Sequence, residues 1–208
     1  MTTWFEFPNL GVSINQLTAE ELAPIWAEVR AIQDNWTRNP NHAAKLAGQF
    51  EHEYTLIDSK PHLAKIIEHL CDEYHHKYDY LGKISVMSEA KPVRMGDPWV
   101  NFQRKGETNP IHTHGGVMSF VLWLQLPYSI KEEERTGPGY KSAKNLAGHF
   151  SFHYSGILGT LQHYHIAADH NEQGTLLLFP SELAHSVNPF YTSDEYRISI
   201  SGNVHFQV

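Results

Sequence analysis

Ile111-His112-Thr113-His114-Gly115-Gly116-Val117-Met118-Ser119-Phe120-Val121-Leu122-Trp123-Leu124-Gln125-Leu126 passes from a pair of histidines, through a double glycine, into a run that is apolar except at Ser119 and Gln125. The run is short and rich in β-branched and aromatic residues, and it opens on a glycine turn, so it reads as a buried strand. In extended backbone, residues i and i+2 point to the same side, so the rings of His112 and His114 can meet one ion while Thr113 points away.

The same texture extends outward. From about Gly82 onward, β-branched and aromatic residues gather in short runs separated by Gly, Pro, Asn and Asp, with candidate strands at 84–89, 99–104, 117–126, 149–154, 161–167, 175–179, 185–190 and 195–206. That number of strands suits a sandwich or small barrel. Upstream the period changes. Leu22, Ile25, Trp26, Val29 and Ile32 recur at helical spacing behind a capping box of Thr18 and Glu21, with Pro24 either kinking the first turns or moving the start downstream. Leu63, Ile66, Ile67, Leu70 and Tyr74 mark a second helix, capped by Asp58 or Ser59 and carrying Pro61 in its first turn. The expectation is one mainly β domain over 1–208, with 1–82 as helical support outside a barrel at 83–208. The polar stretch 131–145, with Gly137-Pro138-Gly139, reads as a loop, either a lid or a solvated connection.

The chain has 208 residues and a formal charge of −7, from 23 acidic against 16 basic residues, with no Lys/Arg block to track phosphates. Nucleic acid is therefore a poor candidate partner. Cys71 is the sole cysteine, which excludes an intrachain disulfide and a thiolate cluster and points to a reducing compartment. No apolar run reaches the roughly 18 residues of a membrane span and no signal-peptide pattern opens the chain, so a soluble, cytoplasmic protein without a membrane partner is expected. Histidine, at 15 residues, is over-represented, and imidazole chemistry is the natural reason to look for.

A third ligand is offered by His185, where the strand Thr175-Leu176-Leu177-Leu178-Phe179 ends at Pro180 and a tight connection delivers the ring. Three neutral imidazoles with open positions suit Fe(II), with Zn(II) or Mn(II) as alternatives. His163-Tyr164-His165 has the same spacing and is a rival pair, or a lining of the pocket, with His149, His153 and His170 nearby in sequence. In Tyr196-Arg197-Ile198-Ser199-Ile200-Ser201, the isoleucines face one way and Arg197, Ser199 and Ser201 the other. Either the arginine is solvated on a surface strand, or it points into the barrel, where its guanidinium needs an anion to offset desolvation.

His112-x-His114, His185 and Arg197-x-Ser199 together resemble the double-stranded β-helix iron and 2-oxoglutarate oxygenases. More narrowly, the chain is similar to a branch of these found in bacteria and marine bacteriophages. The matching pieces are Trp99-Val100-Asn101, His112-Thr113-His114, Phe179-Pro180-Ser181 through His185, and Arg197-Ile198-Ser199-Ile200-Ser201-Gly202-Asn203. The resemblance implies a jelly-roll, cupin-like barrel and an Fe(II)/2-oxoglutarate-dependent dioxygenase. It also implies iron on His112, His114 and His185, and 2-oxoglutarate with its far carboxylate on Arg197 and Ser199. Asn101 and Gln103 are then expected beside the cosubstrate, and Trp123, His163 and His165 in the substrate pocket, although Asn101, Gln103 and Trp123 fit a structural core equally well.

Where most such oxygenases place Asp or Glu, giving two histidines and a carboxylate, this chain has His114; Glu107, Glu182 and Asp169 are the acids that could supply one. Gly106 with His112-x-His114 also resembles the first cupin motif, and Gly174 with Pro180 and His185 partly resembles the second. Two alternatives therefore stand beside the oxygenase: a cupin-like three-histidine enzyme that does not use 2-oxoglutarate, and a non-catalytic metal-binding barrel. The primary substrate is not legible, and a homodimer is compatible with the sequence without a visible seam.

Overall fold

A computed structural model describes residues 2–4, 9–41, 48, 50–84 and 92–207, so all but Ile84 of the strand expected at 84–89 lies outside the described residues. The first helix, α1 (Ala19–Asp34), starts where the capping box placed it. The Thr18 hydroxyl accepts from the Glu21 N–H at 3.2 Å, and the Glu21 carboxylate accepts from the Thr18 N–H at 2.8 Å. Pro24 neither moves that start nor ends the helix. The second, α2 (Lys60–Tyr78), carries Pro61 in its first turn and ends at Asp79, which adopts left-handed backbone at φ 51° and leads into the short α3 (Tyr80–Lys83).

Two antiparallel sheets carry the rest. The larger contains β1 (Ser13–Gln16), β2 (His52–Thr55), β3 (Val93–Met95), β4 (Trp99–Gln103), β6 (Met118–Gln125), β9 (Thr175–Pro180) and β11 (Arg197–Phe206). Its order is β1-β9-β6-β11-β4-β2, with β3 on the far end of β11. The smaller contains β5 (Asn109–His112), β7 (Phe150–Ser155), β8 (Leu161–Ile166) and β10 (Ala184–Val187), in the order β5-β10-β7-β8. Seven of the expected strands form, although the one expected at 185–190 ends at Val187. Four further strands, β1, β2, β3 and β5, were not anticipated. They are three or four residues long, and β1 and β5 are edge strands whose polar or proline-containing sequences have no apolar alternation to read.

Alternation on the large sheet sorts the two faces. Val100, Phe102, Leu122, Leu176, Leu178, Ile198 and Ile200 turn outward and pack with Ile25, Val29, Ile32, Leu63 and Ile67 of the helices. Between the sheets, Val121, Trp123, Leu177 and Phe179 meet Phe150 and Phe152 of the smaller sheet. At roughly 25 cal/mol per Å² of apolar area, these two layers hold the fold together and leave the strands of the large sheet covered on both faces.

The 131–145 stretch is not wholly loop. It opens with α4 (Ile130–Thr136), whose Glu133 is fully buried and accepts from the Tyr191 and Thr192 N–H groups at 2.9 and 2.7 Å, and from the Thr192 hydroxyl at 2.6 Å. A carboxylate engaged in this way makes α4 part of the framework rather than a lid. Among the described residues, no helix is long and apolar enough to cross a membrane.

Candidate metal centre and cosubstrate cavity

The inner face of the large sheet is a polar floor. Register sets Glu53 of β2 beside Asn101 of β4, Asn101 beside Ser199 of β11, and Ser199 beside Trp123 of β6. Gln103 and Arg197 form the neighbouring pair, while Trp99, Ser201 and Val121 form the row on the other side. All of these except Val121 are polar or carry a polar edge, in a sheet whose other face is hydrocarbon.

The smaller sheet delivers the histidines from above. His112 ends β5 and pairs with His185 of β10, while His114 lies just beyond, with its N–H donating to the Ser181 carbonyl at 2.9 Å. The turn that follows requires glycine. Gly116 sits at φ 108°, and a Cβ there would meet the Val204 carbonyl oxygen at 2.7 Å.

The three rings converge. One ligand nitrogen from each of His112, His114 and His185 lies within 4.8 Å of the others, and the Nε2 atoms of His114 and His185 are 3.2 Å apart. Nδ1–H of His112 donates to the Pro110 carbonyl at 2.8 Å and Nδ1–H of His185 to the Leu183 carbonyl at 2.9 Å, which leaves both Nε2 lone pairs for the shared point. Burial, reinforced by His112, pushes His185 down to about 3 and His114 to about 4, and burial also lowers His112. All three are neutral near pH 7, as ligation demands. This donor set fits a divalent transition metal. Among the described residues it is the only group of three such side chains, and no carboxylate joins it. The Glu107 carboxylate accepts from the Arg104 N–H, Asp169 accepts from the Ile130 and Asn171 N–H groups, and Glu182 is exposed.

A cavity lies between the rings and the floor. It is lined by His112, His114 and His185 together with Arg197, Ser199, Asn101, Gln103 and Trp123, so the structure brings these predicted residues to one place. Arg197 is 2% exposed; Nη1 donates to the Asn188 carbonyl at 3.3 Å, the guanidinium lies 5.8 Å from the Tyr128 ring centre, and Nη2 has no hydrogen-bond partner. Burial lowers its pKa, opposed by Tyr128. Asn101 Nδ2 donates to the Ser199 and Ser201 hydroxyls, both at 3.3 Å, while Gln103 Nε2 is committed to the Glu107 carbonyl at 2.6 Å.

His163 and His165 do not line this cavity. They stand on β8, the outer strand of the smaller sheet, where Nδ1 atoms of His163 and His153 are 2.7 Å apart and His165 Nδ1 lies 2.8 Å from the Ser151 hydroxyl. Spacing alone could not tell this pair from His112 and His114, because the difference is the position of the strand in the sheet. Among the polar lining residues, Glu53 and Asn109 escaped the sequence reading, each on a four-residue strand without a readable pattern.

The architecture is that of solved oxygenases. The chain is similar to a Pseudomonas putida prolyl-4-hydroxylase at 14% identity, covering 96% of this chain and 94% of that one with a TM-score of 0.55. It is also similar to a Trichoplax adhaerens prolyl hydroxylase in complex with a hypoxia inducible factor oxygen degradation domain peptide fragment, at 12% identity, 94% and 83% coverage and a TM-score of 0.57. A third likeness is to the viral collagen prolyl hydroxylase of Paramecium Bursaria Chlorella virus-1, solved as a 2OG complex, at 11% identity, 93% and 94% coverage and a TM-score of 0.52. At such identities the likeness speaks for the fold, a double-stranded β-helix. No curated protein matches the chain in sequence. A family model described as "Putative 2OG-Fe(II) oxygenase" matches residues 97–203, half of the chain and all of the strands that build the cavity floor except β2. The chain belongs to the 2-oxoglutarate and Fe(II)-dependent oxygenase family, for which Fe(II) is the cofactor and 2-oxoglutarate the cosubstrate.

Proposed function

We propose that the chain hydroxylates a small molecule or a protein side chain, with Fe(II) on His112, His114 and His185 and the far carboxylate of 2-oxoglutarate on Arg197 and Ser199. Fe(II) bound there, with oxygen and 2-oxoglutarate, supplies the oxidising chemistry that adds one oxygen atom to the substrate and turns the cosubstrate into succinate and carbon dioxide. The chain's own work is placement. Arg197 offers an anion a fixed positive head, Asn101 orients the Ser199 hydroxyl beside it, and Trp123, Phe150 and Phe179 keep water from the reacting end.

The observation that carries this reading is Arg197. A buried guanidinium with a free Nη2 is costly unless an anion completes it, and it opens on the same cavity as the three imidazoles. With Fe(II) under anaerobic conditions, 2-oxoglutarate is expected to give a visible charge-transfer band. Arg197→Met should weaken its binding by about 100-fold, the scale of one buried charge-assisted pair, while leaving metal uptake intact. Absence of both the band and any Arg197-dependent binding would falsify the assignment.

A further inference from the structure

Among the described residues, four buried side-chain atoms have no hydrogen-bond partner, and three of them, Arg197 Nη2, Asn109 Oδ1 and Glu53 Oε2, belong to residues lining this one cavity. Buried polar atoms are almost always satisfied, so such a concentration marks where a ligand's own polar groups belong. The arginine is accounted for by the cosubstrate; the acid is not. Glu53 is 1% exposed, and it shares a cross-strand row with Asn101 and Ser199. With neighbouring strands about 4.8 Å apart, it stands roughly 10 Å across the floor from Ser199. The two buried ionisable groups do not answer one another. The electrostatic partner of Arg197 is Tyr128, and that of Glu53 is Glu107, another acid.

We propose that Glu53 is the specificity-determining residue of the cavity, and that it receives a positively charged nitrogen, an ammonium or guanidinium, carried by the primary substrate. This deepens the oxygenase reading and rests on it. Burial, reinforced by Glu107, pushes the Glu53 carboxyl up to about 8. A neutral occupant leaves it an uncharged acid, whereas a cation restores the carboxylate and completes Oε2 with a charge-assisted hydrogen bond. The cavity then presents opposite charges to its two guests: Arg197 to the dicarboxylate and Glu53 to the cation. Each guest is excluded from the other's end.

The test uses the full chain loaded with Mn(II) and 2-oxoglutarate, and measures by ligand-observed NMR the binding of n-butylguanidinium and n-butylammonium against n-butylurea and n-butanol. The cations are expected to bind about tenfold or more tighter than their neutral counterparts, the scale of one charge-assisted hydrogen bond. Glu53→Gln should abolish the preference, Glu53→Asp should retain part of it, and neither should change 2-oxoglutarate affinity. A preference absent from the wild-type chain, or surviving in Glu53→Gln, overturns the proposal; survival would mean that a group other than the Glu53 carboxylate selects the cation. Melting of the metal-free chain separates a merely structural role. A raised folded pKa costs stability as pH climbs from about 4.5 toward 8, so Glu53→Gln should melt increasingly above wild type across that window, where a structural acid would give the reverse. Failure of 2-oxoglutarate to bind, with the cation preference intact, would remove the oxygenase reading and leave the Glu53 site standing.

Discussion

Glu28 shows how one buried carboxylate organises the start of α2, where the sequence offers Asp58 or Ser59 as cap. Ser59, the residue before α2, makes no side-chain cap. Instead the Glu28 carboxylate, carried by α1, accepts from the N–H groups of Ile57, Asp58 and Ser59 at 2.6, 3.1 and 2.8 Å, from the Ser59 hydroxyl at 2.6 Å and from Asn39 Nδ2 at 2.8 Å. Burial raises its pKa, but the hydrogen bonds from Ser59, Ile57 and Asp58 together outweigh burial and hold it below the ordinary value. Glu28→Gln should cost about 1–3 kcal/mol at pH 7, because donors aimed at an anion are left with a weaker acceptor. A depressed folded pKa gives stability that is complete above about 4.5 and fades as pH falls through the lowered value, so the gap between variant and wild type should close in acid. Urea titrations at pH 7 and pH 3 check both parts, and a gap independent of pH would refute the assignment.

At the scale of elements, α4 and the connection into β11 form one mechanical unit. Glu133 of α4 clamps the backbone at Tyr191 and Thr192, and the chain then runs to Arg197, whose Nη1 is tied back to Asn188 of the same connection. Glu133→Ala leaves two backbone donors and a hydroxyl unsatisfied, and should cost about 2–4 kcal/mol. Amide exchange should quicken at 190–196 and 130–136 and stay slow in β6 and β9; unchanged exchange at 190–196 would show that the clamp does not hold that connection. Much of this level was legible in sequence. The alternation of Ile198 and Ile200 with Arg197 and Ser199 put the arginine and serine together on the face opposite the isoleucines, without deciding whether that face met solvent or the barrel, and the i, i+2 spacing placed His112 beside His114. What was not legible depended on distant pairing. Glu53 reaches the cavity only because β2 pairs with β4 nearly fifty residues later, β1 and β5 draw their stability from partners rather than from any apolar pattern of their own, and the alternation of β3 spans only three residues. His163 and His165 have the right spacing on the wrong strand, and α4 forms in a polar stretch because Glu133 finds its donors 58 and 59 residues downstream.

For the whole molecule, the first 82 residues are joined to the barrel at both ends of the large sheet. β1 pairs with β9 at one end, β2 pairs with β4 at the other, and α1 and α2 lie over the outer face that Val100, Phe102, Leu122, Ile198 and Ile200 present. A barrel without them would leave two strand edges unpaired and a broad apolar face in water, each of which invites aggregation. We propose that the chain is one cooperative unit rather than a support and a barrel that fold separately. Thermal unfolding of the metal-free chain, followed by far- and near-ultraviolet circular dichroism, should show one coincident transition, and a fragment of residues 83–208 should fail to remain soluble. Zn(II), which has no redox chemistry of its own, should move that single transition upward, because a ligand of the native state stabilises by RT ln(1 + [L]/Kd), about 2.7 kcal/mol at a hundredfold excess over Kd. His185→Ala should remove most of this shift. Two separated transitions, with only the upper one responding to metal, would mean that the helical layer docks on a barrel already able to stand alone.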